Sequence, residues 1–296
     1  MTIQEEATYI LSGFLTNGQI IVDAESTDKI QLILNGVEIN CDTSAAIYVR
    51  QADKVIVTLA RDTQNVLSNK EDFVQIDDNN IDAVIFSKDD LTLNGLGELV
   101  INAAYGHGIV SKDDLVFTGG TYTITAAKNG LCGKDSIRFA DGSFKVAAGS
   151  DGIHGDNDDD ATLGYIYIEG GSFDLTPAED AINSSNAVYI IGGEIQIEAG
   201  DDAIHGDIGV AVVNGNINIL GCYEGIEGKQ IEISGGNISV AASDDGLNAT
   251  AGSSSDTAFG GFFGGGRCGF QWNSVSDRWR GIYFRTGRQC KQCGRF

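Results

Sequence analysis

AINSSNAVYIIGGEIQIEAGDD (181–202), AIHGDIGVAVVNGNINILGCYE (203–224) and GIEGKQIEISGGNISVAASDD (225–245) are three near-copies of one unit, 22, 22 and 21 residues long. Each has a branched aliphatic at its second position, an alternating apolar stretch, a Gly-Gly or Asn-Gly turn, a second alternating stretch and a closing acidic pair or Tyr-Glu. A repeat this short cannot bury its own apolar face and must stack on its neighbours. The pattern runs backwards through GLCGKDSIRFADGSFKVAAGSD (130–151) and GIVSKDDLVFTGGTYTITAAKN (108–129), both 22 residues. The copy at 152–180 is 29 long because the acidic segment DNDDDAT (156–162) enlarges one turn.

Period-2 alternation recurs throughout, while apolar residues at 3.6 spacing are absent over any long stretch, so strands are predicted and helices are not. Within a repeat, Val188 and Ile190 fall on one side and Tyr189 and Ile191 on the other. After Gly192-Gly193, Ile195 and Ile197 point inward. Equivalent positions are Ile137/Phe139, Ile166/Ile168, Val210/Val212 and Ile231/Ile233, with Tyr122/Ile124, Phe144/Val146, Phe173/Leu175, Ile217/Ile219 and Ile238/Val240 in the second strand. Stacked about 4.8 Å apart in parallel, these become continuous apolar columns. The predicted fold is all-β: a single-stranded parallel β-helix with coils of about 22 residues, right-handed by the twist preference that governs crossovers.

Residues 1–50 alternate as well (20–24, 29–39, 45–49). Together with 54–60 and 83–101 they predict about three irregular N-terminal coils, interrupted by a loop around 61–80. The β-helix domain is assigned to 1–251, a Gly/Ser-rich loop to 252–266, and an atypical basic tail to 267–296 that is not expected to fold as a coil. The tail holds Cys268, Cys290 and Cys293 but no histidine, which falls short of a four-ligand zinc site.

The 296 residues carry a formal charge of −23, unevenly placed: residues 1–266 hold 41 acids against 12 bases, a net of −29. Such a surface repels nucleic acid and anionic membranes and attracts cations. No segment is apolar for long enough to span a membrane, and the first residues lack the pattern of a signal peptide. The scattered Cys41, Cys132 and Cys222 form no disulfide framework.

Stacking files the closing residues Asn129, Asp151, Asp180, Asp202, Glu224 and Asp245, beside Ser150, Glu179, Asp201, Tyr223 and Asp244. Just past each turn runs a second row: His154, Asn183, His205, Glu227 and Asn248. Asp156 and Asp207 add oxygens. At an effective dielectric of ~20, two carboxylates one coil apart repel by about 3–4 kcal/mol. Protons or cations relieve that cost, and six to eight oxygens in loose geometry suit Ca²⁺. The Ca²⁺ candidates are therefore Asp151, Asp156, Asp180, Asn183, Asp201, Asp202, Asp207, Glu224, Glu227, Asp244, Asp245 and Asn248. The alternative is a solvated acidic ridge with its carboxylates splayed into water. Tyr165, Tyr167 and Tyr189, with Arg138 beside them, form the candidate carbohydrate-binding face: a sugar ring stacks on the rings and a uronate pairs with the guanidinium. Cross-strand aromatic pairs that only stabilise the sheet are the competing explanation.

The opening SGFLTNGQIIVDAESTDKIQLILNGVEI (12–39), AAIYVRQADKVIVTLARDTQNVL (45–67), the repeated units and FGGFFGGG together make residues 8–266 similar to the clostridial-type carbohydrate-binding β-helix family, whose members bind cellulose and polygalacturonate. The resemblance implies a secreted or cell-surface, pectate-lyase-like β-helix with bound calcium and no established catalysis. The expected partner is polygalacturonate or cellulose, bound by a monomer. Three alternatives stand beside it. A calcium-dependent lyase would use Lys112, Lys134 or Arg138 as base. A polygalacturonase-like hydrolase is suggested by GDDAIHG (200–206) and YGHGI (105–109), although these stand in the reverse order. The third is a structural surface repeat protein.

Overall fold

The computed structural model describes residues 1–70, 73–157, 159–250 and the backbone of 282–286; the Gly/Ser-rich 252–266 and the rest of the basic tail lie outside the described residues. It is a β-solenoid of parallel strands, about 11 turns of about 23 residues each, as the repeat length requires. Among the described residues there is no helix, and so none long and apolar enough to cross a membrane.

Three parallel ladders run the length of the stack. The first passes through Ile47–Gln51, Ala83–Ser87, His107–Ser111, Leu131–Gly133, Ile153–Gly155 and Ile182–Ser184 before joining Ile204–Val212, Ile226–Ile233 and Leu247–Ala249. The second includes Lys54–Leu59, Asp90–Gly95, Tyr165–Ile168 and Ala187–Ile190. The third includes Ser172–Pro177, Glu194–Glu198, Asn216–Cys222 and Asn237–Ala242. A short strand of the tail, Ile282–Thr286, pairs in parallel with Asn237–Ala242 and extends this ladder by one rung. Ile-Tyr-Phe-Arg-Thr is β-prone enough to add to an open strand edge.

The predicted columns are in register. Ile137 faces Ile166, Ile166 faces Val188, Val188 faces Val210 and Val210 faces Ile231. The partner column runs Tyr122, Phe144, Phe173, Ile195, Ile217, Ile238. Nearly all of these are fully buried. At the centre the column turns aromatic: Tyr122, Phe144 and Phe173 stack with near-parallel rings 4.9 Å apart, and Phe117 and Phe139 meet Phe144 edge-on at 5.1 and 5.0 Å.

Gly200 fixes how closely coils approach just before the acidic file. A Cβ there would sit 1.9 Å from the carbonyl oxygen of Ala178 one coil below. Gly200→Ala is expected to destabilise the protein by about 1–3 kcal/mol through backbone displacement, read as a lower Tm than that of wild type.

Candidate metal ridge and carbohydrate-binding face

The acidic file stands where the third ladder turns into the first. Here each side chain does a structural job that its position in the repeat did not reveal. Asn129 Oδ1 accepts the backbone N–H of Asp151 at 3.2 Å, Asp151 Oδ1 that of Asp180 at 3.1 Å, Asp180 Oδ1 that of Asp202 at 2.9 Å, and Asp202 Oδ1 that of Glu224 at 3.2 Å. Buried amides at the turn are satisfied this way, and part of the carboxylates' negative charge is met by N–H dipoles. Asp151, Asp180, Asp202 and Glu224 are at most 9% exposed, so they do not splay into water.

The second oxygens face the row His154, Asn183, His205, Glu227 and Asn248, which is in register as read from the repeats. Asp151 Oδ2 lies 2.5 Å from His154 Nδ1 and accepts from Asn183 Nδ2 at 3.3 Å. His154 Nε2 is 3.7 Å from Asp156. One ligand atom each from Asp202, Glu224 and Glu227 lies within 4.8 Å of the others, and the same holds for Asp180, Asp202 and His205. Asn248 Nδ2 donates to Glu224 Oε2 at 2.7 Å and to Glu227 Oε1 at 3.2 Å. Burial, with Glu224 and Asp202 adding to it, pushes the Glu227 carboxyl up to about 8, and burial also raises Asp202. Three carboxylates this close, with Glu227 kept protonated by burial and its acidic neighbours, are a donor set that a hard divalent cation fits in place of the proton.

The candidates are not all gathered. Asp201 and Asp244 lie one residue before the file, and the alternation turns them outward; Asp244 instead meets the Tyr223 hydroxyl, whose ionisation it opposes. Asp207 faces His205 rather than the Glu227 cluster. Asp245 accepts the Gly225 amide through its carbonyl, continuing the turn's hydrogen bonding. Asn248, read as an oxygen ligand, is oriented as a donor.

The carbohydrate candidates lie on the second ladder, on a different face. Arg138 faces Tyr167 and Tyr167 faces Tyr189, whose rings are tilted 6.3 Å apart. Tyr165 is close enough to add to the rise of the Tyr189 pKa, which burial dominates. Beside them is an open cavity of ≈ 400 Å³ lined by Lys54, Thr92, Val116, Arg138, Tyr167 and Glu169 among others. Its cations are already paired: Lys54 with Asp90 at 3.0 Å, and Arg138 with Asp114 in a short contact. Arg138 keeps a buried Nε without a partner. Lys54 and Thr92 were missed from the sequence because the irregular N-terminal coils hide which residues share a column; Glu169, in a regular coil, was missed as well.

GHG and GDD are not brought together. His107 lies four coils before His205 on the first ladder, with Leu131–Gly133, Ile153–Gly155 and Ile182–Ser184 between. That is about 19 Å at one coil spacing, too far to act on one glycosidic bond. Burial lowers the His107 pKa to about 4, and its Nδ1 accepts the Asn129 amide.

The chain is thus a parallel β-solenoid with an acidic ridge and, on a separate ladder, an aromatic-basic cavity. Residues 1–263 match the model of the carbohydrate-binding domain-containing protein family, and the chain belongs to that family. A carbohydrate-binding domain-containing protein of Acetivibrio thermocellus is 40% identical over 126 residues, which is 42% of this chain and 44% of that relative's length. Among solved structures, the polysaccharide lyase-like protein from C. thermocellum, as a gadolinium derivative, is similar with a TM-score of 0.67 and 32% identity, over 79% of this chain and 88% of the other.

Proposed function

We propose that this protein is a non-catalytic, calcium-dependent module that binds plant cell-wall polysaccharide, acidic pectin-type chains, cellulose or both, and that it works outside the cell. The observation that carries the reading is the cavity in which Arg138 and Lys54 flank Tyr167, with Tyr189 one coil further on. Tyrosine faces take sugar rings, and the guanidinium takes hydroxyl or carboxylate oxygens. Ca²⁺ on the ridge overcomes the repulsion between a protein of strongly negative charge and an acidic polymer. The Asp202–Glu224–Glu227 cluster supports that role.

Because ridge and cavity lie on different ladders, the two polymers should respond differently to chelation. In pull-down assays EDTA should abolish binding of polygalacturonate and spare part of the binding to cellulose; loss of both, or of neither, overturns the calcium assignment. Arg138→Gln should weaken polygalacturonate binding about tenfold or more, the effect of losing a charged hydrogen bond. Tyr167→Ala should weaken binding of both polymers. Steady growth of ultraviolet absorbance from unsaturated product, with polygalacturonate and Ca²⁺, would show a lyase instead.

A further inference from the structure

We propose that the ridge holds two chemically different metal sites that share Asp202: an all-oxygen site at Asp202, Glu224 and Glu227, and a mixed nitrogen–oxygen site at Asp180, Asp202 and His205 that selects a borderline divalent ion such as zinc or cobalt. The inference rests on reading the ridge as a cation site, and goes beyond calcium. It comes from comparing two copies of one motif, DGIHGD (151–156) and DAIHGD (202–207). In the first copy His154 Nδ1 is hydrogen-bonded to Asp151 Oδ2 of its own coil at 2.5 Å, and the file residue one coil back is Asn129, not a carboxylate. In the second copy the file residue one coil back is Asp180, and His205 Nδ1 faces its Oδ2 across 3.7 Å, wider than an ordinary hydrogen bond.

That width is close to what two ligands of one ion require. Zinc bound to nitrogen and oxygen at about 2.0–2.2 Å sets an N···O edge of ~3.3 Å in a tetrahedron. Asp202 supplies a third ligand atom within 4.8 Å of the other two. Asp180 and Asp202 are 8% and 7% exposed, and each already spends Oδ1 on a backbone amide, so both carboxylates are held in place. The far side of the imidazole is arranged as well. Nε2 sits 3.4 Å from Asp207 Oδ1, the carboxylate–histidine pairing that orients a metal-bound ring. Asp207 thereby becomes a positioning residue and not a ligand. An imidazole is a poor partner for Ca²⁺, which prefers oxygen throughout, and a good one for zinc or cobalt. Three protein ligands leave a fourth position for water or for a hydroxyl or carboxylate oxygen of a bound polysaccharide.

The test uses the full chain, stripped of metal, titrated with Co²⁺ and read by its visible absorption, with Zn²⁺ as competitor. His205→Asn is the informative variant, because Asn183 and Asn248 occupy the same register and show that the coil accommodates asparagine. Wild type should give a cobalt band that Zn²⁺ removes. H205N should bind Co²⁺ at least tenfold more weakly while keeping its response to Ca²⁺. His154→Asn should leave the cobalt band unchanged, and Glu227→Gln should lose the Ca²⁺ response but keep the band. The tail cysteines are present in every variant, so the difference reads His205 alone. An unchanged band in H205N, or no band in wild type, overturns the proposal. If H205N does not fold, cobalt-shifted imidazole proton resonances in wild type decide the matter, and their absence overturns it. A His205-dependent cobalt band with no Ca²⁺ response anywhere would retire the calcium assignment and leave the mixed site standing.

Discussion

Phe144→Ala is expected to lower the stability of the protein by about 3–5 kcal/mol, the range for emptying a buried phenylalanine site, and to lower Tm by on the order of 10 °C in thermal melts. The ring is 2% exposed and lies within about 5 Å of four others, those of Phe117, Tyr122, Phe139 and Phe173. Few rearrangements fill such a gap, because neighbours along the column are pinned by their own ladder partners. Each coil touches only the ones beside it, so the damage should centre on the coils around 122–173. Hydrogen exchange would find the lost protection there first. A Tm within a degree or two of wild type would mean that the aromatic stack contributes little.

The second large effect couples pH to metal. Without metal, burial beside Glu224 and Asp202 pushes the Glu227 carboxyl up to about 8, well above the ordinary glutamate range of about 4.3. Through that window the folded state binds a proton that the unfolded chain has released, so stability falls as pH rises from about 5 to about 8. Saturating Ca²⁺ should reverse the trend, since an ion takes the proton's place among Asp202, Glu224 and Glu227. At a hundredfold excess over Kd the stabilisation is about 2.7 kcal/mol, several degrees in Tm. It should be largest at high pH, where no proton competes. Glu227→Gln should flatten the metal-free decline and remove most of the calcium response. A calcium shift of equal size in E227Q would place the ion elsewhere.

The fold was legible because translation repeats the same constraint at every coil. Val188 and Ile190 needed only period-2 alternation and a 22-residue offset to be matched with Val210 and Val212. The row His154, Asn183, His205, Glu227 and Asn248 followed from the same offset. What could not be read was orientation within a residue. The repeat places Asp180 beside Asp202, but only the coordinates show Oδ1 turned to the neighbouring amide and Oδ2 turned to His205. Equal spacing also concealed that Asp201 and Asp244, each one residue earlier, look outward. On the other face, Tyr167 and Tyr189 were found because their coils are regular. Lys54 and Thr92 escaped because the loop around 61–80 breaks the count on which column membership depends.

The file of side-chain oxygens from Asn129 to Asp202, each holding the amide of the following coil, makes each coil of this stretch both a guest of the one before and a host for the one after. A duplicated block such as 181–202, inserted in phase, would find its donor and acceptor already waiting at both seams. Proteins built this way can change length in whole coils while their inner columns and outer faces stay aligned. Lengthening the rod would then lengthen the tract of polymer it can track, without redesign of any single binding residue.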